Sequence, residues 1–237
     1  MNCTEGTLLD GRIRYAQPMD GYRTGIEPVL LAASIPAQPG DRVLEAGTGA
    51  GAALLCLACR VPGLLGTGIE RDPAMAALAR QNLAANAAPF TILEADVTAL
   101  PPLPPCDHVF ANPPWHDPLA TRPPSARRAA ATHRGAGGLA AWIDALAFLA
   151  RSTVTLVLPA ALQAEATARL QATRLASLTL YPLWPREGRP AKIILIQAII
   201  GPSRMHTGAG LVLHGEGQGY TPETEAVLRH GEALDVT

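Results

Sequence analysis

Residues 42–52 read RVLEAGTGAGA, a short apolar run that ends in an acid and then gives way to glycine at every second position. The run suits a buried strand. Gly47, Gly49 and Gly51 let the backbone turn tightly and approach a ligand closely, with the N-terminus of the following helix facing it. About 20 residues on, LLGTGIE (64–70) reads as a second strand ending in Glu70, where a carboxylate can accept both hydroxyls of a ribose. Strand, glycine turn and distant acid, in that order, describe a nucleoside-cofactor site on a parallel sheet. The glycines alone do not fix the cofactor. Gly47-x-Gly49-x-x-Ala52 also satisfies the dinucleotide fingerprint, so a nicotinamide cofactor and a purely structural turn both stay open at this point.

The rest of the chain repeats the strand-then-helix pattern. Strands are expected at 42–46, 64–70, 90–95, 107–111, 153–159, 175–183 and 192–200, and helices at 50–60, 73–86, 139–150 and 160–173. This alternation implies an α/β fold with a seven-stranded, mostly parallel sheet and helices on both faces. The last two strands are joined only by WPREGRP (184–190), so an antiparallel hairpin should close the sheet. Before the first strand, YRTGIEPVLLAASI (22–35) reads as an entry loop and helix. After the last, the Gly-rich GPSRMHTGAG (201–210) leads to a short helix that Thr221 caps, Pro222 starts and Gly231 ends. With 237 residues and 48% hydrophobic content, one domain over 1–237 is expected. Within it, 1–40 covers the cofactor, 41–200 forms the Rossmann-like core and 201–237 is a C-terminal extension.

Composition narrows the function classes. No run of about 18 apolar residues and no secretion signal is visible, which points to a cytoplasmic protein without a membrane partner. Cys3, Cys56, Cys59 and Cys106 do not form a disulfide framework, and the Cys56-Leu-Ala-Cys59 pair lies in an apolar helix, where packing explains it. The six histidines are scattered, so no metal site is expected. A net charge of −1 argues against coating nucleic acid by bulk electrostatics and leaves room for a local basic patch. Lys192 is the only lysine, and the arginines suit phosphate contact.

Two further strand ends carry polar signals. Glu94-Ala-Asp96-Val97 puts an acid where it can accept from an adenine amino group or cap the following turn. With the glycine turn and Glu70 in register, the cofactor role is preferred. The fourth strand ends in ANPPW (111–115), and two consecutive prolines cannot donate to a sheet ladder. The stop sets an amide, Asn112, before Pro113 and Pro114 and an indole, Trp115, after them.

Together these residues resemble the class I S-adenosylmethionine-dependent methyltransferases, whose fold has seven strands with the last antiparallel. ANPPW is similar to the N/D-P-P-aromatic motif of those that methylate amino groups of adenine, guanine or glutamine, which implies that Asn112 and the Pro113 carbonyl would offer two fixed acceptors to the amine, Pro113 and Pro114 rigidity, and Trp115 a stacking face for the base. Adding GYRTGIEPVLLAA, RRAAATHRGAGGLAAWI and LVLHGEGQGYTPETEAVL, the chain looks like the bacterial tRNA (adenine-N6)-methyltransferases that act on valine tRNA beside the anticodon. The resemblance implies S-adenosyl-L-methionine as cofactor, with Glu45, Gly47, Thr48, Gly49, Gly51, Glu70, Arg71, Asp96, Val97 and Asn112 around it. Tyr22, Arg23, Thr24 and Gly25 would line its methionine end, with Glu27 where the family usually has an acid. The family commonly has Tyr or Phe where Trp115 stands, and often another aromatic in place of His116. It further implies an RNA substrate whose target base is extruded, and a monomer or homodimer.

Segment 116–138 carries Arg122, Arg127, Arg128, His133 and Arg134 against one acid, Asp117, and is expected to contact RNA phosphates. Other readings are guanine-N2 methylation of ribosomal RNA, glutamine methylation of a release factor, a non-catalytic RNA-binding module and a nicotinamide oxidoreductase. The release-factor enzymes usually have a helical N-terminal domain, for which the 41 residues before RVLEA leave little room. An oxidoreductase offers no use for NPPW.

Overall fold

The computed structural model describes residues 2–19, 24–114, 138–217 and 219–236. The chain opens with a hairpin of β1 (Cys3–Leu8) and β2 (Ile13–Pro18), a separate two-stranded antiparallel sheet. Its turn passes through Leu9, Asp10 and Gly11, all at positive φ. Helix α1 (Glu27–Ala33) then leads into β3 (Arg42–Ala46), the glycine turn and α2 (Ala52–Arg60). Next come β4 (Leu65–Glu70), α3 (Pro73–Ala85) and β5 (Phe90–Glu94). A 3-10 turn at Val97–Ala99 precedes β6 (Cys106–Ala111). The second half runs through α4 (Gly138–Leu149), β7 (Ala150–Pro159), α5 (Gln163–Gln171), β8 (Leu175–Trp184), β9 (Ile193–Ile199), β10 (Gly201–Thr207), β11 (Leu211–Val212) and α6 (Pro222–His230).

The main sheet has the order β5-β4-β3-β6-β7-β9-β8-β10, with β11 also running along β8. All pairs are parallel except those of β9, which is antiparallel to both β7 and β8. The expected seven strands and the antiparallel seventh are present, but the hairpin does not close the sheet. Strand β9 is inserted between β7 and β8, and β10 and β11 extend the edge beyond β8 from a stretch read only as Gly-rich.

Local chemistry explains the element ends. Asp72 caps α3 by accepting from Ala74 N (2.8 Å) and Met75 N (3.3 Å), with Pro73 opening the helix where no N–H is needed. Thr221 caps α6, Pro222 starts it and Gly231, at φ +65°, ends it, as the sequence suggests. Helix α2 starts at Ala52 rather than at residue 50, because its N-cap Gly51 sits at φ +87°. Helix α4 passes into β7 without an intervening loop, so the strand begins at Ala150, three residues earlier than expected. Arg174 Nη2 donates to the carbonyls of Ala147 and Ala150 at that junction, satisfying carbonyls that the helix end leaves open.

Side chains alternate across the sheet, and each face buries its own core. Val43, Phe110, Val157 and Leu195 pack with Leu30, Leu31, Leu54 and Leu57 of α1 and α2. Leu44, Val109, Leu156 and Ile196 pack with Ile143, Leu146 and Leu170 of α4 and α5. Cys56 belongs to the first core and Cys59 packs against it, with no disulfide. The hairpin is docked by Asn82 of α3 and by the helix's C-cap Asn86, each of which pairs with a backbone residue of β2 in both directions. Asn82 Oδ1 accepts from Ala16 N and its Nδ2 donates to Ala16 O, both at 2.9 Å. Asn86 does the same with Arg14, at 2.9 and 2.8 Å.

Candidate functional site

The carboxyl ends of the parallel strands meet at one edge of the sheet, where open α/β folds bind ligands. Ala46 of β3 is level with Ile69 of β4 on one side and Ala111 of β6 on the other. The glycine turn therefore leaves the sheet between Glu70 and Asn112. Gly47 N and Thr48 N both donate to Ile69 O, at 2.8 and 2.9 Å, and Gly51 N donates to Thr48 O at 2.9 Å. Gly47, Gly49 and Gly51 have φ of +70°, +56° and +87°, which L side chains rarely adopt. At Gly47 space also decides: a Cβ there would stand 2.8 Å from Cη2 of Trp142, an indole of α4 that lies directly under the turn.

Two acids frame the turn. Glu45 is 4% exposed and its Oε2 accepts from Thr48 Oγ1 at 2.5 Å. Burial pushes its carboxyl up to about 8, against the pull of that hydrogen bond. Glu70 accepts from Gly49 N at Oε2 and from Asp72 N at Oε1, both at 2.9 Å. Burial raises it too, while these N–H groups hold it down. Glu70 is thus tied to the glycine turn, at the strand end where a carboxylate can accept from ribose hydroxyls. A turn with no Cβ at 47, 49 and 51, beside such an acid, fits a nucleoside cofactor.

The third acid does something the sequence left as an alternative. Asp96 Oδ1 accepts from Thr98 N (2.8 Å) and Thr98 Oγ1 (2.7 Å), capping the turn that begins at Val97. Those bonds hold its carboxyl below the usual range, with the exposed Arg71 guanidinium adding to the effect. Val97 is buried. At the end of β6, Asn112 and Pro114 are half-buried and Pro113 is buried. Thr24 donates its N–H to Gln17 Oε1 at 3.1 Å, and the Glu27 carboxylate lies against Gly25. Tyr22, Arg23, Trp115, His116, Arg122, Arg127, Arg128, His133 and Arg134 lie outside the described residues.

The structure thus brings Glu45, Gly47, Thr48, Gly49, Gly51 and Glu70 into one cluster with Asn112 beside it, while Asp96 stands two strands away from β3. It adds Trp142 and Asn82, neither of which a sequence motif marks. Trp142 shares a helix face with Leu139, Ile143 and Leu146 and reads as core. Among the described residues, no helix is long and apolar enough to cross a membrane and no group of His, Cys, Asp or Glu is arranged to hold a metal ion.

Residues 26–140 match the family model described as the methyltransferase small domain. A solved structure from Agrobacterium tumefaciens, described as a predicted O-methyltransferase, is 28% identical with a TM-score of 0.71, over 87% of this chain and 97% of that one. An S-adenosylmethionine-dependent O-methyltransferase of Thermotoga maritima is 18% identical, TM-score 0.56, over 79% and 69%. Precorrin-6y C5,15-methyltransferase of Geobacter metallireducens is 17% identical, TM-score 0.53, over 79% and 93%. No curated protein matches the sequence. The chain has the Rossmann-like class I methyltransferase fold. The domain match and the site support an S-adenosylmethionine-dependent methyltransferase, with S-adenosyl-L-methionine as its cofactor.

Proposed function

We propose that the protein methylates an exocyclic amino group, N6 of adenine in tRNA being the substrate the motifs favour. The observation that carries this reading is the register of Ala46 with Ala111, which sets the Asn112-Pro113-Pro114 stop directly beside the glycine turn. When bound, the cofactor supplies a methyl group on a positively charged sulfur. In this reading the turn from Gly47 to Gly51, with Glu45 and Thr48 behind it, cradles the cofactor and Glu70 takes its ribose hydroxyls. Asp96, Val97 and Arg71 face its adenine end, and Tyr22, Arg23, Thr24 and Gly25 its methionine end.

The chain's own contribution lies in the amine. An exocyclic nitrogen conjugated to a purine is a poor nucleophile because its lone pair is delocalised into the ring. The Asn112 side-chain oxygen and the Pro113 carbonyl, accepting its two hydrogens, favour a pyramidal nitrogen with its lone pair directed at the methyl. The two prolines fix those acceptors before the substrate arrives, so little reorganisation remains. The nitrogen becomes acidic only once alkylated, and its proton then passes to water or a nearby acceptor. Trp115 stacks the extruded base, and Arg122, Arg127, Arg128, His133 and Arg134 grip the flanking phosphates.

The Agrobacterium structure's description, a predicted O-methyltransferase, favours a second acceptor, an oxygen. Nucleoside mass spectrometry separates the two. The protein is incubated with isotopically labelled S-adenosylmethionine and unmodified tRNA, with Asn112→Ala as control. Labelled N6-methyladenosine from the wild type alone supports the proposal. Label on a ribose 2′ oxygen, or in no nucleoside while the cofactor still binds, overturns it.

A further inference from the structure

Helix α3 presents one face to the glycine turn. Met75 Cε lies 3.9 Å from where a Cβ on Gly49 would stand, and Ala79 Cβ 3.7 Å from that of Gly51. Asn82, on the same face, donates from Nδ2 to Ala50 O at 2.9 Å. The same amide holds Ala16 of β2 by two further bonds of 2.9 Å. Tyr15 and Gln17, on either side of Ala16, both reach Thr24. The Tyr15 hydroxyl is 2.7 Å from Thr24 Oγ1, and Thr24 N–H donates to Gln17 Oε1 at 3.1 Å. A hydrogen-bonded path therefore runs from the glycine turn through Asn82 and β2 to the residue next to Arg23. Asn82 is 3% exposed, so water does not replace these bonds when one is lost.

We infer that Asn82 is a positioning residue for cofactor binding. Its amide fixes the glycine turn and β2 in one geometry, and through Tyr15 and Gln17 of β2 also Thr24, so the cofactor meets both sides already assembled. This rests on the reading of residues 22–25 as the cofactor's cover. Asn86 is the internal control. It pairs with Arg14 of the same strand and donates to Asn82 O at 2.7 Å, and none of these bonds reaches the glycine turn.

The test measures the affinity for S-adenosylhomocysteine by calorimetry, and Tm, for the wild type and for Asn82→Ala, Asn86→Ala and Tyr15→Phe. Asn82→Ala is expected to weaken binding roughly tenfold and Tyr15→Phe about threefold. Asn86→Ala should change affinity less than about twofold while lowering Tm as much, because it loosens the hairpin without touching the turn. Equal affinity losses at 82 and 86, or losses confined to Tm, overturn the inference and leave Asn82 a docking residue only. If Asn82→Ala does not fold, Tyr15→Phe against Asn86→Ala decides: no difference in affinity between those two overturns it. A wild type that binds no S-adenosylhomocysteine overturns the cofactor itself, and the inference with it, an outcome distinct from the others.

Discussion

Two strand ends lie side by side at the carboxyl edge of the sheet and are built by opposite backbone chemistry. After Ala46 the chain uses three glycines at positive φ, and after Ala111 it uses two prolines. Glycine removes the Cβ and permits backbone conformations that bring the N–H groups up to a ligand. Proline removes the N–H and fixes φ. The difference teaches that one strand end is shaped for close approach and the other for holding a direction. Binding and reaction should accordingly separate under mutation.

The largest expected effect sharpens that separation. Asn112→Ala should lower methyl transfer by about two orders of magnitude or more and leave cofactor affinity nearly intact. Equal losses in single-turnover rate and calorimetric affinity would break the comparison, because Asn112 would then belong to the turn. Glu70→Ala is the converse, with roughly a tenfold to hundredfold weaker affinity for S-adenosylhomocysteine as charge-assisted hydrogen bonds are lost. An unchanged affinity would show that Glu70 serves only the Gly49 and Asp72 N–H groups.

Gly47→Ala should cost about 2 kcal/mol of stability in denaturant unfolding, from the strained φ and the approach to Trp142. Trp142→Leu in the same chain should recover part of the loss. A further effect is set by pH. Glu45 has its folded-state pKa raised to about 8 from 4.5, so the stability it contributes is fully present below 4.5 and is lost as pH rises through 8. Glu45→Gln keeps the shape without the titration. Melting curves should show the Gln variant gaining on the wild type by up to about 4 kcal/mol between pH 5 and 9. Parallel curves would place Glu45 in water rather than in the core.

The parts of the fold legible in the sequence are those whose local pattern matches their burial. All seven core strands are apolar runs between turn residues, and the caps Asp72 and Thr221 and the stop Gly231 announce their helices. The hairpin strands CTEGTL and IRYAQP and the edge strand GPSRMHT were not legible. They contain no apolar run, β1 and β10 are largely exposed, and their pairing is decided by distant backbone. The same divide runs through the site. A turn that needs positive φ at 47, 49 and 51 writes glycine into the sequence, whereas Trp142 and Asn82 reach that turn because of how α4 and α3 pack. Asp96 shows a third case, in which both roles suit the same residue type and only the Thr98 bonds establish the cap.

The two asparagines of α3 have a consequence for the protein in concentrated solution. A two-stranded sheet has two open edges, each a template on which the backbone of a neighbouring copy can add as a further strand. Along the β2 edge, the N–H and C=O of both Arg14 and Ala16 are already taken by the amides of Asn86 and Asn82. The helix end thus stands in for a missing strand, and over that stretch the β2 edge gives a neighbouring copy nothing to pair with.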